Sequence, residues 1–187
     1  MFGIILLGVL GLIVIWVIAK YNSLVTLRNQ VNNGWKQIDV QLKRRHDLIP
    51  NLVNTVKGYM QFEQDTLRMV IEARNAAVAA KGVAEAAAKE GELTSALSRL
   101  FALFENYPNL KANENVKQLQ EELTSTENKV SFARQFYNDI ATLFNIAQQV
   151  FPGTIIAGMF KFQSAELFEV TAAEEREVPK VDLSLKK

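Results

Sequence analysis

The chain contains no cysteine and a single histidine, His46. The first absence excludes disulfide frameworks, thiolate zinc sites and cysteine nucleophiles. The second leaves zinc or base-assisted nucleophilic chemistry short of partners, because such sites converge several ligands, or a nucleophile on a base. A di-iron bundle draws on Glu-x-x-His pairs, and none occurs here. Also missing are a P-loop, a dinucleotide-binding glycine fingerprint and a nucleophile elbow. Neither sign of charge is in excess. With 21 Lys and Arg against 20 Asp and Glu, the basic surplus that would drive non-specific nucleic-acid binding is lacking. No tandem repeat and no Gly/Ser- or Pro-rich linker divides the 187 residues. The expectation is a non-enzyme with no catalytic, cofactor or metal residues and no nucleic-acid partner.

What is present begins with an uncharged apolar run from Gly3 to Ala19. At 17 residues it lies at the short end of what crosses a bilayer. Trp16 and Tyr21 stand where interfacial aromatics set depth. The start Met1-Phe2-Gly3 lacks a basic n-region, and no small-x-small cleavage pattern follows Ala19, so a retained anchor is expected over a cleaved signal peptide. No basic residue precedes the span, whereas Lys20, Arg28 and Lys36 follow it. The positive-inside rule then places the N-terminus outside and the remainder in the cytoplasm.

Beyond the anchor the apolar spacing is helical. Leu24, Val31 and Ile38 form one row, and Trp35, Leu42 and Ile49 an interleaved one, continuing straight out of the span. This first helix is expected to end near Arg45. Asp47 would cap the next helix, and Pro50 would mark the boundary. That second helix would carry Leu52, Val56, Tyr59, Leu67, Val70 and Arg74 through Gly58. The alanine-rich stretch Ala76–Ala88 offers little surface to bury and is expected to be the least well-packed part. A shorter helix through Leu93, Leu97, Leu100 and Phe104 stops at Tyr107-Pro108-Asn109. Val116, Leu123, Val130, Tyr137, Phe144 and Phe151 then lie seven apart, with Leu119, Thr126, Ala133, Ile140 and Ala147 alongside, which predicts a long bundle helix ended by Pro152-Gly153. Val181, Leu183 and Leu185 alternate with polar residues, as in a short extended tail. The fold class is all-α: an anchor over residues 1–22, a helical domain over 23–170 and a tail over 171–187.

Several stretches carry a family resemblance. They are Trp35–Val53 (WKQIDVQLKRRHDLIPNLV), Thr55–Tyr59 (TVKGY), Tyr107–Ala112 (YPNLKA), Thr126–Val130 (TENKV), Arg134–Asp139 (RQFYND) and Phe151–Ala157 (FPGTIIA). In that order they resemble successive motifs of the LemA family of bacterial membrane-anchored proteins. The resemblance implies a single-pass protein of the cytoplasmic membrane, N-terminus out, with an antiparallel helical bundle. It supplies no catalytic mechanism. It points to a membrane-organising or partner-binding role, since relatives include magnetosome-membrane proteins and members are associated with a membrane zinc metalloprotease of the HtpX type. Where many relatives place a histidine before the second-helix glutamate, this chain has Phe62-Glu63, so a role for that histidine does not carry over.

Two candidate surfaces remain. Lys43, Arg44 and Arg45 could bind an acidic partner, or they could close a helix C-terminus where the dipole favours cations. Buried links joining Arg45, Arg74 or Arg134 to Glu127 or Asp139 are a further expectation, preferred to a carboxylate-metal cluster among Asp39, Asp47, Glu63, Glu72, Glu127 and Asp139. Trp35, Tyr59, Phe136 and Tyr137 are expected in the core. Residues 151–162 could cap the bundle, meet another subunit or touch lipid. The partners implied are the bilayer, through Gly3, Trp16, Ala19 and Tyr21, and a second copy of the chain. A scaffold is the leading function, with an adaptor of the metalloprotease as the alternative.

Overall fold

A computed structural model describes residues 2–169. It contains α1 (Phe2–Val56), α2 (Gln64–Ala79), α3 (Val83–Phe104), α4 (Pro108–Lys111), α5 (Glu114–Gln149) and α6 (Gly153–Met159), with no strand among the described residues. The tail from 171, with the alternation at 181–185, lies outside them.

The N-terminal part of α1 is long and apolar enough to cross a membrane, and the rest of the chain buries none of it. Further along, Leu24, Val31, Ile38 and Leu42 turn inward against Val130, Tyr137, Ala141 and Phe144 of α5. Both helices keep a seven-residue apolar repeat, and α5 runs antiparallel to α1 along it. Gly34 packs directly on α5: a Cβ there would sit 3.5 Å from Tyr137 Cα, in van der Waals contact. A second apolar cluster joins Ile49, Leu52 and Val56 of α1 to α2, α3 and the start of α5. Asn113 caps α5, its side-chain oxygen accepting from the amides of Asn115 and Val116.

The expected helix end near Arg45 is corrected. α1 passes through Pro50 and stops at Val56, and Asp47 lies inside it, capping nothing. Pro50 has no N–H to give the carbonyl four residues back, that of His46. Arg74 of α2 takes its place, donating from Nε to the His46 oxygen at 3.2 Å. The freed acceptor is thus satisfied from another helix, and the chain turns only around Gly58, over residues 57–63. Two helices, α1 and α2, therefore share the residues expected in one.

The alanine-rich stretch Ala76–Ala88 is exposed or half-buried, with three exceptions. Ala77, Ala86 and Ala87 are buried, the last two in the same cluster as Leu42 and Val130. Their methyl groups add to that cluster from the start of α3. Among the aromatics, Tyr137 is buried and Trp35 half-buried, but Tyr59 and Phe136 are exposed. Phe151 is exposed too, because α5 ends two residues earlier.

Candidate functional site

Between the two apolar clusters lies a layer of charge. On α1, the row Leu24, Val31, Ile38 reaches its next heptad position at Arg45, which is buried with its neighbour His46. On α3, Glu90 is 2% exposed, one turn after Ala86 and one turn before Thr94. Arg45 Nη1 donates to Glu90 Oε2 at 2.8 Å, and Nη2 donates to Thr94 Oγ1 at 2.8 Å. His46 Nε2 lies 2.5 Å from the other Glu90 oxygen, Oε1. Glu127 of α5 brings Oε2 to 2.7 Å from Arg45 Nη2, without the alignment of a hydrogen bond. Beside it, Thr126 bonds back to the Glu122 carbonyl.

This arrangement holds three helices at one height. Arg45 and Glu90 are out of water and each has a partner, which is the condition for such groups to persist in a core, while Glu127 closes the layer from its half-exposed edge. A one-turn slip between α1 and α3 would part Arg45 from Glu90 and leave each buried without the other, and a slip of α5 would take Glu127 from Arg45. The layer therefore sets register. Among the described residues no three His, Asp or Glu side chains converge as a metal site requires.

The basic cluster divides accordingly. Arg45 is consumed by Glu90 and Glu127, so its place in a partner-binding surface is corrected, and the expected Arg45–Glu127 link is found. Lys43 and Arg44 stay exposed. With eleven more residues of helix after Arg45, these cations do not close a C-terminus. Lys43 instead edges a cleft of about 300 Å³ with Asp39, His46, Asp47 and Arg74, whose alternating charges select neither cation nor anion. Arg74 bonds the His46 carbonyl, and Arg134 stacks over the Phe168 ring at 5.4 Å, so neither reaches Glu127 or Asp139.

A second polar device was not legible as such in the sequence. After α6 the chain runs back along α5 without regular structure as far as Glu169. Asn145 donates from Nδ2 to the Ala165 carbonyl at 2.9 Å and accepts the Ala165 amide at 2.8 Å. Asn138 does the same to Phe168, at 3.1 and 2.8 Å. Each amide side chain imitates a peptide group and pairs with the strap as a strand would. The spacing fits: seven helical residues rise about 10.5 Å, and three extended residues about 10 Å. Tyr137 adds a bond from its hydroxyl to the Glu166 carbonyl at 2.7 Å. Burial first, and the Glu166 charge second, raise the Tyr137 phenol above its ordinary pKa.

Of the anchor residues, Gly3, Trp16 and Ala19 are exposed on α1. Tyr21 is half-buried, its ring 4.6 Å from Phe160 and 5.9 Å from Phe162, so it joins the span to the bundle.

Residues 34–183 match the LemA family. A protein named LemA from Metamycoplasma hominis is 26% identical over 170 residues, covering 89% of this chain and 74% of its own length. Magnetosome protein MamQ 2 of Paramagnetospirillum magneticum is 24% identical, over 80% of this chain and 65% of its own. Magnetosome protein MamQ of Magnetospirillum gryphiswaldense is 23% identical over the same share of this chain and 64% of its own. The chain thus spans about two thirds of the MamQ proteins' length. The apolar N-terminal helix marks a membrane-anchored protein. With the match covering the bundle from Gly34 onward, the chain belongs to the LemA family.

Proposed function

We propose that the protein is a non-enzymatic scaffold of the bacterial cytoplasmic membrane that assembles with copies of itself. Residues 1–22 anchor it with the N-terminus outside, residues 23–170 form a cytoplasmic helical rod, and residues 171–187 are its tail. The observation that carries this reading is an apolar stripe on the outer face of α5. Phe132, Phe136, Leu143 and Ile146 are spaced by 4, 7 and 3 residues, which puts them on one side of a helix, and all four are exposed. Val40 of α1 extends the stripe and is also exposed. Single exposed apolar residues are ordinary, but a row including two phenylalanines is an interface feature.

A second copy is the occupant that fits. Anchoring fixes every copy at the same height and orientation, so stripes on neighbouring molecules meet in register at the high local concentration of a shared surface. A single cysteine at Gln135 in this cysteine-free chain, bridged by a bis-maleimide in native membranes, tests the assembly. Dimers and larger species are expected, and they should disappear when Phe132 and Phe136 are both changed to Asp. Monomer alone would refute self-assembly. Stoichiometric capture of a membrane metalloprotease would replace the scaffold by an adaptor. An active alkaline phosphatase fused at the C-terminus would overturn the orientation.

A further inference from the structure

The three helices of the charge layer also fix the height of α6. Arg45 faces Glu127 and Gly34 faces Tyr137, so each step back along α1 is matched by a step forward along α5. Continued, that pairing sets the end of α5 beside Tyr21, and the Tyr21–Phe160 and Tyr21–Phe162 contacts confirm it. The apolar run of α1 ends at Ala19 and Lys20 follows. The chain then bends by 92° into α6, which lies across the axis of the rod at this height. The bend is built in: a Cβ on Gly153 would collide with the Ala147 carbonyl oxygen.

Seven residues rise only about 10.5 Å, too little to cross a bilayer, so α6 is not a second span. Its inner side, Gly153, Ile156 and Ala157, is buried on the bundle. Its other side is apolar and exposed at Ile155 and Met159, four residues apart, and Phe151 just before α6 and Phe160 just after it are exposed as well. No charged residue occurs from Val150 to Phe160, and Lys161 follows directly. Lys20 and Lys161 thus flank the apolar patch, the pattern of a segment seated at a bilayer surface with cations among the headgroups.

We propose that α6 is an interfacial foot: Phe151, Ile155, Met159 and Phe160 insert into the membrane leaflet that α1 leaves, holding the rod upright. The occupant is lipid because the patch is continuous with the span and lies perpendicular to it. The inference rests on the anchoring reading, and the test separates the two. Full-length protein would carry one nitroxide-labelled cysteine at Leu10, Ile155, Met159 or Thr124, in vesicles of phosphatidylcholine with phosphatidylglycerol. Collisional broadening by a water-soluble paramagnetic complex should fall several-fold at 155 and 159 relative to Thr124, and broadening by oxygen should rise. Water-like exposure at 155 and 159 with a lipid-buried label at Leu10 would overturn the foot alone. Water-like exposure at Leu10 would overturn the anchor with it. Spin–spin broadening at 155 that vanishes on dilution with unlabelled protein would assign the patch to a second copy and refute lipid contact.

Discussion

Removing Glu90 is the sharpest test of the charge layer. The carboxylate is 2% exposed and takes both an arginine and the histidine, at 2.8 and 2.5 Å. Hydrogen bonds to charged groups contribute about 1.5–3 kcal/mol each, and stripping one partner from a buried pair costs about 3–5 kcal/mol. Glu90→Leu should therefore lose about 3–5 kcal/mol, since Arg45 then keeps only the Thr94 hydroxyl and, as a charged partner, Glu127, whose side chain is 36% exposed. The same principle makes the double variant Arg45→Met with Glu90→Leu markedly less costly, because the buried arginine goes with its partner and the carboxylate left behind, Glu127, reaches water. Urea unfolding of the detergent-solubilised full chain, followed by circular dichroism, reads the difference. With slopes of about 1–3 kcal/mol per molar, the single variant's midpoint should fall by about 2 M. A single-variant loss under about 1 kcal/mol, the size typical of an exposed ion pair, would refute the register role. So would a double variant costing the sum of its singles, which would mean that the two side chains act independently.

Other expectations are as specific. Arg74→Ala should cost about 1–3 kcal/mol by orphaning the His46 carbonyl. In a Pro50→Ala background, where a helical N–H can take that carbonyl, the cost should shrink, and an unchanged cost would refute the substitution argument. Asn138→Ala with Asn145→Ala should release the strap, seen as faster amide exchange at Ala165 and Phe168 with little change at Val130. Unaltered protection there would sink the strap account. Tyr137 has a raised phenol pKa, so its stabilising effect is complete below the ordinary value of 10.0 and is lost as pH rises through the raised one. The advantage of wild type over Tyr137→Phe in thermal unfolding should accordingly narrow in that alkaline range, and a constant gap would count against the burial.

The long helices were legible because both rely on one repeated physical rule. Leu24, Val31 and Ile38 on one side, and Val116 to Phe144 on the other, bury the face their spacing predicts. The errors came where a local rule was overruled from a distance. Pro50 reads as a helix boundary only for a helix considered alone, and the replacement donor, Arg74, sits 28 residues from the His46 carbonyl it serves. Ala86 and Ala87 offer little area, and composition does not distinguish them from the exposed alanines around them. Of the charge layer, Arg45 and Glu127 read as partners from sequence, whereas Glu90 and Thr94 of α3 look like ordinary polar positions of a helix rich in charged residues and alanine. The seven-residue spacing of Asn138 and Asn145 was available as a signal, and it gains meaning only once an extended segment lies alongside.

Because α1 is one helix from inside the apolar span to Val56, no hinge separates the span from the bundle. From Lys20 to Val56 the helix measures about 55 Å. Transmembrane helices answer a change in bilayer thickness by tilting. A tilt of about 10° on a lever of this length carries the tip sideways by about 10 Å. The far end of the rod is thereby coupled to the thickness of the membrane at the near end.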